Sequence, residues 1–169
     1  MQDHDALIAI YNEQGEIIGT KKRIDVDKKR DILRSVNILL INPEGKIFVT
    51  QPVNPVFPGT WGCAAAGLVR YQENPEDAAL RTVKKELTIT IPLISLGETF
   101  FTHSPIRRFT HMFFGITDTP VRINPGDATK GTWMEQKEVE RKIKKFLPPC
   151  QEIYRVWKSK TVLSNDTIL

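Results

Sequence analysis

The chain has 169 residues, 40% of them hydrophobic and 26% charged, the balance of a globular domain long enough to bury a core without staples. Its 24 lysines and arginines against 20 aspartates and glutamates leave a formal charge of +4, which favours anionic partners such as nucleotides but is too small to define a nucleic-acid binder. No apolar run approaches the ~18 residues a membrane helix needs. The opening Met1-Gln2-Asp3-His4-Asp5 is acidic rather than basic-then-apolar, so a cytoplasmic protein is expected.

In chain order, Ala6 to Tyr11 and Glu16 to Gly19 flank the turn Asn12-Glu13-Gln14-Gly15 and predict an N-terminal β-hairpin. A charged segment without a period runs to about Asp31. Its basic clusters, Lys21-Lys22-Arg23 and Lys28-Lys29-Arg30, read as solvated surface or as an electrostatic funnel for phosphates. Ser35 to Ile41 and Lys46 to Gln51 are β-rich runs around Asn42-Pro43-Glu44-Gly45, a strong turn signal. Pro52 to Gly67 reads mostly as loop, and Cys63, with Cys150, as a reduced structural thiol.

Asn74 or Glu73 can cap a helix beginning at Pro75, with Ala79, Leu80, Val83 and Leu87 as its buried stripe and Pro92 marking the end. Strands are expected at Ile94 to Thr102 and Phe109 to Thr117, joined by His103-Ser104-Pro105-Ile106-Arg107. Another follows near Gly131 to Met134, after the loop Ile123-Asn124-Pro125-Gly126-Asp127. Glu135 to Phe146 predicts an amphipathic helix that Pro148-Pro149 breaks, and Cys150 to Trp157 a second. The tail, residues 159–169, is expected to fray, leaving residues 1–158 as one α/β domain with helices on a mixed sheet.

The stretch GLVRYQENPEDAALRTVKKELTI, from Gly67 to Ile89, resembles the Nudix box of the MutT-like Nudix hydrolases, which act on nucleoside diphosphates linked to another moiety. That pattern is Gly, five residues, Glu, seven residues, then Arg-Glu-apolar-any-Glu-Glu-any-Gly-apolar. The chain matches at Gly67, Glu73, Arg81, Val83, Glu86 and Ile89 and departs at Thr82, Lys85 and Thr88, so the box is degenerate. RSVNILLINPEGKIFVTQ and FPGTWGCAAAG look like the family's approach to the box, and INPGDATKGTWM like its acidic loop and Trp strand. The resemblance implies a Nudix-type α/β/α sandwich with a mixed central sheet and a pyrophosphatase-type hydrolase dependent on Mg²⁺ or Mn²⁺. Under it, metal ligation falls to the positions of Lys85 and Glu86, with Asp127 as a later-loop ligand. Arg81 would orient the helix glutamates, Glu73 would support the site from the loop, and Gly67 and Lys85 would face the phosphates. The hairpin and FPGTW are also similar to isopentenyl diphosphate isomerases, whose catalytic cysteine precedes the box glycine. Ala66 stands there, which leaves isomerase chemistry without its acid.

Helix positions i, i+3 and i+4 share one face, and here they hold Thr82, Lys85 and Glu86. Where the family has three acids, this face carries a hydroxyl, a cation and one acid, a change of about three charge units. At ~4 Å and an effective dielectric near ~20, each unit is worth about 4 kcal/mol before salt weakens it. A divalent ion is therefore disfavoured while Lys85 points inward, although Mg²⁺ needs only one or two protein carboxylates when substrate phosphates complete its shell.

Three functional expectations follow. One is a weakened hydrolase with Glu86, Arg81 and Glu73 as catalytic residues and Glu86 and Asp127 as metal ligands. Another is a Nudix-fold module that has lost catalysis and binds nucleotide or RNA, with Lys85 pairing directly with a phosphate. The third is a structural or dimerisation partner, a homodimer among the forms it could take. His103 and His111 read as turn residues with a pocket as the alternative, and Trp61, Phe57 and Phe109 as packing with base stacking as the alternative. Thr88 replaces a glycine that usually adopts positive φ, which a β-branched residue resists by about 1–2 kcal/mol.

Overall fold

The computed structural model describes residues 3–53, 58–102 and 107–166, with side chains up to residue 162. Its centre is β3 (Leu33–Ile41), a nine-residue strand whose two faces are both buried. Val36, Ile38 and Leu40 point into one hydrophobic layer, and Leu39 and Ile41 into the other. An apolar run on both faces is the signature of a strand covered by helices on each side. One edge of β3 pairs in parallel with β7 (Arg108–Ile116) along its whole length, from Leu33↔Arg108 to Ile41↔Ile116. The other edge is shared between β5 (Ala65–Leu68) and β4 (Ile47–Pro52), both antiparallel. β6 (Ile94–Phe101) and β8 (Ala128–Met134) complete a mixed sheet of order β6-β7-β3-β4-β8, with β5 beside β3. The segment expected to be loop up to Gly67 thus becomes a strand at Ala65. Small side chains there let the backbone pair with β3 and lie close under the central helix.

That helix, α1 (Pro75–Leu87), covers one face of the sheet. Asn74 caps it: its side chain accepts the Asp77 N–H at 2.8 Å, while Pro75 occupies the first turn and has no N–H that would need an acceptor. Val83 and Leu87 are fully enclosed, each contributing about 1.5–3 kcal/mol. Leu80, expected in the buried stripe, is 42% exposed. The face that meets the sheet runs through Ala78, Ala79, Thr82, Val83 and Leu87, and the rotation per residue turns Leu80 to solvent. The helix stops at Leu87, short of Pro92, because Thr88 takes a left-handed conformation at φ 60°. Its hydroxyl donates to the Arg122 carbonyl at 3.2 Å, and the terminal carbonyls of Glu86 and Leu87 receive the N–H groups of Asn124 and Arg122. The exposed end is therefore capped by a distant loop instead of a glycine.

The opposite face is covered by α2 (Gln136–Lys142) and α3 (Pro148–Asp166), through Val139, Cys150, Ile153, Tyr154 and Trp157. Phe146 ends a short 3-10 turn between them. Pro148 and Pro149 form the first turn of α3 instead of only breaking the preceding helix, consistent with their missing N–H groups. α3 also continues to Asp166, where fraying was expected from Ser159.

The N-terminal hairpin, β1 (Leu7–Tyr11) and β2 (Ile17–Lys22), forms as expected, with Gly15 in its turn at φ 81°. Ile8 and Ile10 pack on Leu33 and Leu68, docking the hairpin at the start of β3. Leu7 pairs with Lys22, and Arg23 N–H bonds the Ala6 carbonyl at 2.9 Å. Closing the hairpin therefore brings the 3-10 turns at Asp3–Asp5 and Arg23–Asp25 together at its open end.

Candidate active site

Gly67, Arg81, Thr82, Lys85, Glu86 and Asp127 line one cleft of about 280 Å³. A wider, open groove of about 980 Å³ beside α3 contains none of these residues, so the chemistry is sought in the smaller cleft. Thr82, Lys85 and Glu86 arrive on one face of α1, as their spacing requires. Gly67 has a steric reason to be glycine: a Cβ there would stand 2.4 Å from the Thr82 hydroxyl. That hydroxyl is buried and has no hydrogen-bond partner among the described residues.

Glu86 is held by the chain just before the box glycine, its Oε2 accepting the Ala66 N–H at 3.2 Å. Position 66 thus contributes a backbone donor to the site. Burial raises the Glu86 carboxyl to about 7; the Ala66 N–H opposes this, and the negative charge of Asp127 adds to it. Asp127 joins Glu86 in the cleft because the loop that caps α1 through Asn124 turns back at once, Asp127 N–H bonding the Asn124 carbonyl at 2.9 Å. The Asp127 Oδ2 is buried without a hydrogen-bond partner among the described residues.

Lys85 lies between two acids, its Nζ 3.4 Å from Asp127 Oδ1 and 3.6 Å from Asp3 Oδ2. Asp3 also receives Arg23 and Arg70, each at 3.0 Å. Burial works against the charged Asp3, but these cations outweigh it and hold its carboxyl below the ordinary value. The position where a metal face was expected is therefore crossed by an ammonium with two carboxylate partners.

Arg81 does not orient the helix glutamates as expected. Its guanidinium clasps Glu73 through two hydrogen bonds of 2.7 and 2.8 Å and donates to the Leu68 carbonyl at 2.9 Å. Glu73 also accepts the Arg70 N–H at 2.9 Å. Burial disfavours its charge, yet Arg81 and the Arg70 N–H pull its carboxyl below the ordinary range. The pair locks the loop, α1 and the end of β5 to each other. Glu73 itself is absent from the cleft wall and stands behind Arg81.

Asp3, Arg23 and Arg108 complete the cleft, and none was singled out from the sequence as a site residue. Their segments carry no periodicity that points inward, although Arg23 belongs to a basic cluster read as a possible phosphate funnel. Of that cluster only Arg23 enters the cleft: Lys21 pairs with Asp31 and Lys22 with Asp5. Arg108 opens β7, and two residues on, Thr110 bonds the Ser35 hydroxyl at 3.0 Å on the same strand face. His111 stacks on Phe113 and bonds Ser95, away from the cleft. Trp61 packs in the second core layer, and Phe109 stacks on Phe100. Phe57 and His103 lie outside the described residues.

A divalent ion can be tested against these groups. Among the described residues no cluster of three His, Cys, Asp or Glu side chains could hold a metal alone. The unpartnered Asp127 oxygen and the Glu86 carboxylate nevertheless form a two-acid donor set, which fits a hard ion whose remaining ligands are phosphate oxygens and water.

Comparison with known proteins places this cleft in a family. Residues 31–155 match the family model of the NUDIX domain. The chain is 28% identical over 149 residues to an uncharacterized Nudix hydrolase of Pseudomonas aeruginosa, covering 86% of this chain and 88% of that protein. Among solved structures, a Deinococcus radiodurans protein superposes with a TM-score of 0.75 at 20% identity, over 89% of this chain and 99% of the other. The NUDIX domain of Shewanella oneidensis NrtR, complexed with ADP ribose, superposes with a TM-score of 0.64 at 16% identity, over 83% and 95%.

Proposed function

The chain belongs to the Nudix family, and from that premise we propose that it hydrolyses a diphosphate linkage in a nucleoside diphosphate-linked or related compound. The observation that supports this most directly is that Glu86 and Asp127 line one cleft, one fixed by the Ala66 N–H and the other with a buried oxygen that has no hydrogen-bond partner among the described residues. ADP ribose, bound by the Shewanella domain, is a compound of this class. Glu86 and Asp127 are the residues that would hold Mg²⁺ or Mn²⁺, and such an ion offsets the charge of a diphosphate and activates water. The chain's own groups do the rest. The Ala66 N–H fixes which Glu86 oxygen faces the cleft, and the Arg81–Glu73 clasp fixes the height of β5 against α1. Lys85 exchanges its carboxylate partners for a phosphate oxygen when the ligand enters, on a side chain long enough to do so. A cytoplasmic location belongs to the same proposal, supported by two free cysteines and by the absence of a described helix long and apolar enough to cross a membrane.

A second reading, a catalytically inactive frame that binds nucleotide or RNA, is favoured by one observation: Lys85 already bridges Asp3 and Asp127 where an ion would sit. One experiment separates the two. ADP ribose, nucleotide sugars and dinucleoside polyphosphates are each offered with Mg²⁺, Mn²⁺ or a chelator, and phosphate-ester products are followed beside thermal melting. Metal-dependent turnover that Glu86→Gln abolishes is the expected result. Thermal stabilisation by the same compounds with no turnover would replace hydrolysis by the binding reading.

A further inference from the structure

The cleft contains three arginines, and two of them have a carboxylate of their own: Arg23 holds Asp3, and Arg81 holds Glu73. Arg108 has none. It is half-buried in the wall and makes no ion pair or side-chain hydrogen bond among the described residues. Burial lowers its affinity for a proton, and the positive charge of Arg23 lowers it further. A partly desolvated guanidinium in one cleft with a second one, and without a carboxylate partner of its own among the described residues, is a costly arrangement for a folded chain to maintain. It becomes favourable when a ligand brings the missing negative charge, and a guanidinium's planar fork matches two oxygens of one phosphate.

We propose that Arg108 and Arg23 form a phosphate-binding site of this cleft, which takes a phosphate group of the ligand. Arg108 is the first residue of β7 and Arg23 opens the 3-10 turn after β2, and both line the cleft that Lys85 and Glu86 of α1 also line. The Ser35 and Thr110 hydroxyls, bonded to each other at 3.0 Å, give the Arg108 side of the cleft a polar floor. Asp3 holds Arg23 at 3.0 Å, so its guanidinium is positioned before a ligand arrives. The inference deepens the diphosphate reading and rests on it, but its test needs no turnover.

The test is calorimetric titration of the full chain with inorganic pyrophosphate in a metal chelator, at low and high salt, with thermal melts of every variant. Wild type should bind, and high salt should weaken it. Arg108→Met should lose about 10- to 100-fold in affinity, the size of one charge-assisted contact, and Arg108→Lys should keep part of it. The melting temperature of Arg108→Met should stay level or rise, because an unpartnered charge leaves a partly desolvated wall; a merely structural arginine would lower it. Glu86→Gln, which removes turnover if hydrolysis is correct, should still bind pyrophosphate, so a failure of the hydrolase reading is distinguishable from a failure of this site. Unchanged affinity in Arg108→Met, no pyrophosphate binding by wild type, or loss of folding in Arg108→Met would each overturn the proposal.

Discussion

Glu73 and Arg81 show how one ion pair can support a site it does not enter. The pair is partly buried, bidentate and tied to two backbone groups, the Arg70 N–H and the Leu68 carbonyl. Glu73→Gln keeps the shape and one acceptor but removes the charge, and should cost about 2 kcal/mol in urea unfolding at pH 7. The pH dependence has a definite sign. Glu73 is held below its ordinary value of 4.5, so its contribution is complete above that pH and is lost as acid titrates it through the depressed folded value. Wild type and Glu73→Gln should therefore differ most at neutral pH and converge as the pH falls through the depressed folded value; a constant gap would mean the charge is not what stabilises. The box pattern identified both residues, but their partnership could not be read from it. The family resemblance directed Arg81 toward the helix glutamates, whereas the loop between Gly67 and Asn74 folds back far enough to place Glu73 first in its reach.

The box helix is secured at its two ends by different means. At the start, Asn74 supplies a cap visible in the sequence, since asparagine before proline at a first turn is a local signal. Asn74→Ala should cost about 1 kcal/mol, lowering the melting temperature by about 2–4 °C for a chain of this size, without changing the urea m-value. A larger loss would mean the cap also holds the loop. At the far end, Thr88 sits in a left-handed conformation, and donors from residues 122 and 124 close the helix. Nothing local announces that arrangement, because the donors come from across the molecule. The same is true of β5, whose four residues pair only because β3 offers an edge. Elements with their own periodicity or turn residues, such as the hairpin, β3, α1 and β7, were legible; those defined by a distant partner were not. Leu80 failed in between: a stripe counted by spacing alone can include a residue that the rotation of the helix turns outward.

On the scale of the whole molecule, the order of layers followed from strands on both sides of a central helix, and the mixed sheet bears it out. The cleft was half legible. Its α1 wall lies in one continuous motif, while Asp3, Arg23 and Arg108 converge from three separate segments through the closing of a hairpin and the pairing of β7 with β3. Cys63 and Cys150 illustrate the same limit. Far apart in sequence, they meet in the second core layer, where Cys63 N–H points at the Cys150 sulfur at 2.9 Å. The parallel β3–β7 pairing has a further consequence, for time. Ser35 and Thr110, which face each other across it, are 75 residues apart, and the entropy of closing so long a loop is spent before its contacts reward it. The hairpin and the β5–α1 unit are local and can assemble early, but Arg108 joins Arg23 in the cleft only when this registration is complete. In refolding from urea, far-ultraviolet ellipticity should therefore recover no later than pyrophosphate binding, and binding should return with the slowest tryptophan fluorescence phase. Binding that preceded that phase would show that the two walls meet by some other route. The chain thus becomes able to hold its ligand at the end of folding, when the most distant pair of strands has found its register.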